Sequence, residues 1–269
     1  MTGTIRKHPL FSYIVLAYLW TWATILPLLL QKRGLADFGL PDAWEAIGAF
    51  GPFIAAWLVL RGTEGQAGLV PFWQALRRWR LGRAGWALTL LSPLLFLILA
   101  VLLTRLQTGA MPSLQALASG RLGSLHAVLD LVLVAALLQA LGEEPGWRGY
   151  LLPRLLEHYR VLPATLLMFP VWWLWHLPFF LSRPAFGLAQ FFGFGFGILC
   201  ASIWLAFLHQ RTRSSFAAVV WHAVLNISRG VALGFSTGMF LAYGVAVAAG
   251  AVVIVAWWLL RPARPGTVH

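Results

Sequence analysis

Six residues in the second half of the chain have types and spacings that suit hydrolysis. The segment Gly142-Glu143-Glu144-Pro145-Gly146-Trp147-Arg148 sets two adjacent carboxylates just ahead of an arginine. Residues four apart share a helix face, so Glu144 and Arg148 are placed to form an ion pair that holds Glu144 charged and fixed. Glu143 points about 100° away around such a helix and has no basic residue three or four positions from it. A carboxylate of that kind suits a general base working near neutral pH. Further on come Trp172-Trp173-Leu174-Trp175-His176, and then His222 and Asn226, again four apart. Histidine takes a proton or donates a hydrogen bond, and asparagine offers an N–H₂ donor. Two donors aimed at one point are what an oxyanion hole requires. Each group also has a structural reading. These are a buried ion pair beside a pore-lining carboxylate, a hydrogen-bonded core histidine, and a polar seam between helices.

The elements that must position these groups are membrane spans. The chain has 269 residues, of which 60% are hydrophobic and 10% charged, with a mean hydropathy of +0.78. A soluble domain carries roughly 25% charged residues, so this surface must face lipid. Apolar stretches of bilayer length, roughly 17–25 residues, predict eight helices: Pro9–Leu30, Ala43–Leu60, Gly85–Thr104, Leu125–Leu141, Val161–Ser182, Leu188–Leu208, Ser215–Ser228 and Leu233–Leu260. The predicted fold class is therefore all-α, a polytopic bundle forming a single transmembrane domain over 1–269. The first stretch follows Arg6 and Lys7 as a signal peptide would. Its apolar run is too long for one and no A-x-A-like site follows, so it is expected to remain as a span.

With the N-terminus inside, 14 Lys and Arg residues fall on the inner side and 6 on the outer side, together the 20 in the chain. That bias favours eight spans with both ends cytoplasmic. It also explains the net charge of +12 without a nucleic-acid partner. The Trp- and Arg-rich stretch Pro71–Arg83 predicts a helix lying on anionic headgroups. The glycines of Phe191–Gly197 are expected to allow close helix packing. Residues 107–124 read as the longest outer loop and 262–269 as a loose tail. Cys200, the single cysteine, reads as a small core residue, and Asp130 as a packing or hydration residue. His8, His126, His158, His209 and His269 are assigned no chemistry.

Depth brings the motifs together. The fourth and fifth spans form an antiparallel hairpin turning near His158–Leu162, with Glu144 and His176 each about 16 residues from residue 160. Residues equidistant from such a turn lie level, because both helices rise about 1.5 Å per residue. Glu143, Glu144 and His176 are thus expected to meet, and Pro145 and Gly146 are expected to loosen the helix and open room beside Glu143.

The ordered set Glu143-Glu144-x-x-x-Arg148, Trp172-x-x-x-His176 and His222-x-x-x-Asn226, with the strings EEPGWRGYLLPRLL and WWLWHLP, resembles the CPBP family of intramembrane glutamic endopeptidases. This is the CAAX prenyl protease 2, bacteriocin-processing and Abi-type group. The likeness covers roughly 141–226, within a core of about 125–230. Trp172 departs from the family's Phe, and the departure is expected to alter packing and not chemistry. The resemblance implies that Glu143 with His176 activates a water, that His222 and Asn226 hold the oxyanion, and that Glu144 and Arg148 brace the site. It implies no cofactor, a peptide or membrane-protein substrate, a lipid bilayer as surroundings, and a bacterial inner membrane. It does not by itself imply a prenylated substrate; self-immunity to secreted peptides or maturation of a membrane peptide suits a bacterial chain. Three alternatives stand beside it: a zinc protease using Glu143, His176 and His222, a proton-coupled transporter, and a non-catalytic membrane scaffold.

Overall fold

A computed structural model describes residues 2–260, apart from 114, 116, 118–121 and 184–185. The tail 262–269, Arg121, Arg261, Arg264 and His269, and part of the 107–124 loop, lie outside the described residues. The described chain runs α1 (Thr2–Lys7), α2 (Pro9–Lys32), α3 (Asp42–Thr63), α4 (Gly65–Arg77), α5 (Gly82–Thr108), α6 (Leu125–Leu156), α7 (Val161–Leu181), α8 (Leu188–Thr212), α9 (Ser215–Phe235) and α10 (Thr237–Leu260). All but α1 and α4 are long and apolar enough to cross a bilayer. Their outward faces carry Leu19, Leu94, Ile98, Leu102, Val245, Val252 and Val253. The chain is a multi-pass membrane protein with eight helices of spanning length among its described residues, the number the apolar stretches predict.

The boundaries differ from the prediction where polar residues interrupt an apolar run without breaking the helix. The fourth span does not stop at Leu141 but continues through both glutamates and Arg148 to Leu156. Its 32 residues make it about 48 Å long, well over a hydrocarbon core of about 30 Å. It accommodates Pro145 by widening to π-type winding over Trp147–Leu151, with a second such stretch over Asp130–Leu138. The seventh span passes Ser228 and ends at Phe235. Arg148 and Arg229, counted on the inner and outer sides respectively in the charge tally, lie inside α6 and α9. Glu45 is buried at the start of α3 against Lys32 and Arg183.

The predicted interfacial helix is shifted. It spans Gly65–Arg77, with Leu69 and Phe72 buried, and the chain leaves the helix before Trp79, which is exposed.

α6 and α9 run through the middle of the bundle. α6 packs along α3 and α9, and α9 also meets α5, α8 and α10. α7 packs on α8, and its C-terminal end meets α2. Ser124 and Ser214 cap α6 and α9, each accepting a hydrogen bond from the backbone N–H three residues on. Arg213 turns α8 into α9 in a left-handed conformation, φ 52°. The α6–α7 turn occupies residues 157–160, where the charge and turn pattern placed it. Three neighbouring indoles then tie α7 to three different elements. Trp175 donates to Thr21 Oγ1 at 2.9 Å, Trp173 to the Phe191 carbonyl at 3.2 Å, and Trp172 to α6.

Gly142 and Gly146 do not open space beside Glu143. A Cβ on Gly142 would lie 2.6 Å from the Ala49 carbonyl oxygen, and one on Gly146 would lie 2.4 Å from Pro52 C and O. The pair is the close-approach surface of α6 against the backbone of α3. Among the glycines of 191–197 only Gly195 meets a neighbour, Trp173, while Gly193 and Gly197 have nothing within 4 Å. Gly146→Ala should therefore lower the midpoint of unfolding in detergent, by about 1–3 kcal/mol for overpacking. Gly197→Ala should leave it unchanged. Equal midpoints for the two variants would remove the close-contact assignment.

Candidate active site

Two consecutive carboxylates on α6 face different partners, because successive residues of a helix point about 100° apart. Glu144 turns into the bundle. Its Oε1 accepts from Arg148 Nη1 at 2.9 Å and lies 2.8 Å from His222 Nδ1. Glu144 and Arg148 are both fully buried. The i,i+4 pair forms where the spacing put it, despite the π-type turn between its members, and it extends across to α9 as a three-residue chain.

Glu143 faces α7. Its Oε2 accepts a hydrogen bond from Trp172 Nε1 at 2.6 Å and lies 4.0 Å from His176 Nε2. That second distance is too long for a direct hydrogen bond. His176 Nδ1 lies 2.8 Å from the Trp172 carbonyl. A carbonyl only accepts, so Nδ1 carries the proton, and a neutral His176 presents a lone pair at Nε2 toward Glu143. The ring is stacked on Phe180 and edge-on to Phe194, which fixes its plane.

On α9, His222 and Asn226 share the face turned to α6. The Glu144 carboxylate accepts from His222 Nδ1–H, which leaves Nε2 for other partners. Asn226 Nδ2 donates to the Ala135 carbonyl at 3.2 Å. Ala135 lies in the π-type stretch of α6. One N–H of the amide is thereby held, and the second remains to donate.

The structure thus links Glu143, Glu144, Arg148, His176 and His222, from α6, α7 and α9, in direct contact or through Trp172, while Asn226 stands one turn beyond His222 with its amide bonded to Ala135. Glu143, Glu144, His222 and Asn226 are each under a tenth exposed, and His176 retains 13% side-chain exposure. Asp130 lies thirteen residues from Glu143 on the same helix and takes no part.

For zinc, three donors would have to aim at one point. Among the described residues no group of three or more His, Cys, Asp or Glu side chains is arranged to hold a metal ion. His222 Nδ1 faces Glu144 and not the Glu143–His176 pair.

Trp172 is the residue that sequence reasoning misjudged. Its indole is more than packing. Besides the bond to Glu143, its ring carries the Arg148 guanidinium at 4.1 Å and meets the His222 ring edge-on at 5.7 Å. The signal was present in the residue type, since a buried indole N–H requires an acceptor, and Trp172 lies one turn before His176 on the helix already expected to face Glu143.

Residues 125–228 match the model of the family described as type II CAAX prenyl endopeptidase Rce1-like. All six candidate residues lie inside that segment. The chain is also 30% identical, over 106 residues, to the CAAX prenyl protease 2 of Methanococcus maripaludis. That alignment takes in 36% of this chain and 39% of the relative's length.

Proposed function

We propose, from the match of residues 125–228 to the type II CAAX prenyl endopeptidase Rce1-like model and from the site geometry, that this chain is an intramembrane endopeptidase. It hydrolyses a peptide bond of a membrane-associated peptide or protein by a metal-free, glutamate-activated water. The observation that carries this reading is the 4.0 Å opening between Glu143 Oε2 and His176 Nε2. Both atoms are acceptors in the tautomer the Trp172 carbonyl imposes. A water donating one O–H to each, at about 2.8 Å, spans that opening with its lone pairs turned outward.

In the first step that water attacks the substrate carbonyl while Glu143 takes its proton. The C–O bond forms as the carbonyl π pair moves onto oxygen. The resulting oxyanion is received by Asn226 Nδ2–H and by His222 Nε2–H. His222 performs that role in its doubly protonated form, because Nδ1–H is already given to Glu144; the Glu144 carboxylate opposite stabilises the imidazolium. In the second step the oxyanion pair returns, the C–N bond breaks, and Glu143 gives its proton to the leaving amine.

Depth supports cleavage in the inner half of the bilayer, with both termini cytoplasmic. His222 is seven residues from the inner end of α9, about 10 Å along it. Glu143 is thirteen residues from the end of α6, about 20 Å along a helix that outruns the membrane.

The test is cleavage of membrane peptides by the purified chain in nanodiscs, with products read by mass spectrometry. Asn226→Ala should lower kcat by about 10²–10³-fold, the usual cost of one oxyanion donor, with KM little changed. A chelator arm separates the chemistries: loss of cleavage with chelator and its return with zinc would replace this mechanism by a metalloprotease. Absence of any cleavage, together with Glu143-dependent uptake into liposomes, would replace it by a transporter.

A further inference from the structure

We propose that Trp172 is a positioning residue for hydrolysis, its indole N–H holding the Glu143 carboxylate in the attitude from which that carboxylate meets the attacking water. The inference rests on the endopeptidase reading above and adds a residue to it.

Glu143 sits on α6 with no basic partner on its own helix. Among the described residues, the one side chain that donates a hydrogen bond to it is Trp172, at 2.6 Å. A glutamate carboxyl swings about a broad, roughly two-fold terminal torsion, so a single donor on Oε2 decides where the remaining lone pairs point. The indole is itself immobile. Trp172 is 1% exposed, and its neighbours on α7 are anchored to Phe191 and Thr21. Its ring lies under the Arg148 guanidinium, whose Cζ is 4.1 Å from the ring centroid. A cation over the face withdraws electron density from the ring and makes the N–H a better donor. The same residue orients the other half of the water site, since its carbonyl fixes the tautomer of His176 at 2.8 Å. Any amino acid would supply that carbonyl. Only the indole supplies the donor to Glu143, so the proposal separates a side-chain role from a backbone one.

The decisive variant replaces Trp172 alone with benzothienylalanine. It keeps the bicyclic shape and the π face over Arg148 but has sulfur where the N–H stood. Trp172→Phe is the second variant. Both are assayed for peptide cleavage in nanodiscs, alongside thermal unfolding. The expected result is a fall in kcat of about 10–100-fold for the sulfur analogue, with KM and the unfolding midpoint unchanged and His176 still in place. In a Glu143→Gln background, whose residual rate no longer depends on a carboxylate base, the analogue should cause no further loss. Full kcat in the analogue overturns the positioning role, as does an equal loss in both backgrounds, which marks packing alone. If Glu143→Gln itself retains full cleavage, the endopeptidase mechanism fails first, so the two failures are distinguishable. Should Trp172→Phe lose its fold, the analogue still decides the matter.

Discussion

Glu143→Gln is expected to reduce peptide hydrolysis by about 10²–10⁴-fold, the usual worth of a positioned general base, while leaving the fold intact. The amide is nearly the same size as the carboxylate, and its carbonyl oxygen still accepts the Trp172 N–H held at 2.6 Å in the parent chain. What it loses is the capacity to take a proton from water. Among the described residues Glu143 carries no ion pair with Arg or Lys, so the substitution strands no buried charge. Single-turnover cleavage in nanodiscs and a thermal melt measure the two halves of the expectation. An unchanged rate would show that the proton goes elsewhere, and a collapsed melt would show that Glu143 is structural.

Arg148→Met is expected to act in the opposite sense, on stability before chemistry. Glu144 and Arg148 are each 0% exposed. Removing one member of a buried pair leaves its partner charged and uncompensated, at a cost of about 3–5 kcal/mol. Met fills the arginine's volume but answers none of the charge on Glu144. The double variant Glu144→Leu/Arg148→Met should recover most of that loss, since an apolar pair of similar volume is often neutral or stabilising. It should nonetheless fail to cleave, because His222 Nδ1 loses the acceptor now 2.8 Å away. Unfolding midpoints for the single and double variants, with cleavage assays on each, separate the ion pair's two contributions. A double variant no more stable than the single would refute the charge account.

The contacts that follow from local geometry were legible in the sequence. Spacing by four aligned Glu144 with Arg148 and His222 with Asn226. Counting residues either side of one turn brought Glu143 level with His176. Hydropathy located eight helices, because apolar length is a direct requirement of the bilayer. What could not be read was what each helix faces. Gly146 looked like a weak point in α6, yet its missing side chain admits the backbone at Pro52, and nothing in the chain's own order names that partner. Trp172 counted as an apolar ring, which hid its N–H. The π-type winding at 130–138, where the Ala135 carbonyl accepts from Asn226, has no composition of its own. The end of α9 was set too early because Ser228, Arg229 and Gly230 resemble a loop by type. Inside the bundle they continue the helix.

The contact of Gly142 and Gly146 with Ala49 and Pro52 also makes one flank of Glu143 unyielding. A wall of main chain against main chain has no rotamers to turn aside; parting it requires sliding a whole helix. On the α7 flank the carboxylate meets side chains instead, the Trp172 indole and the His176 ring held between Phe180 and Phe194.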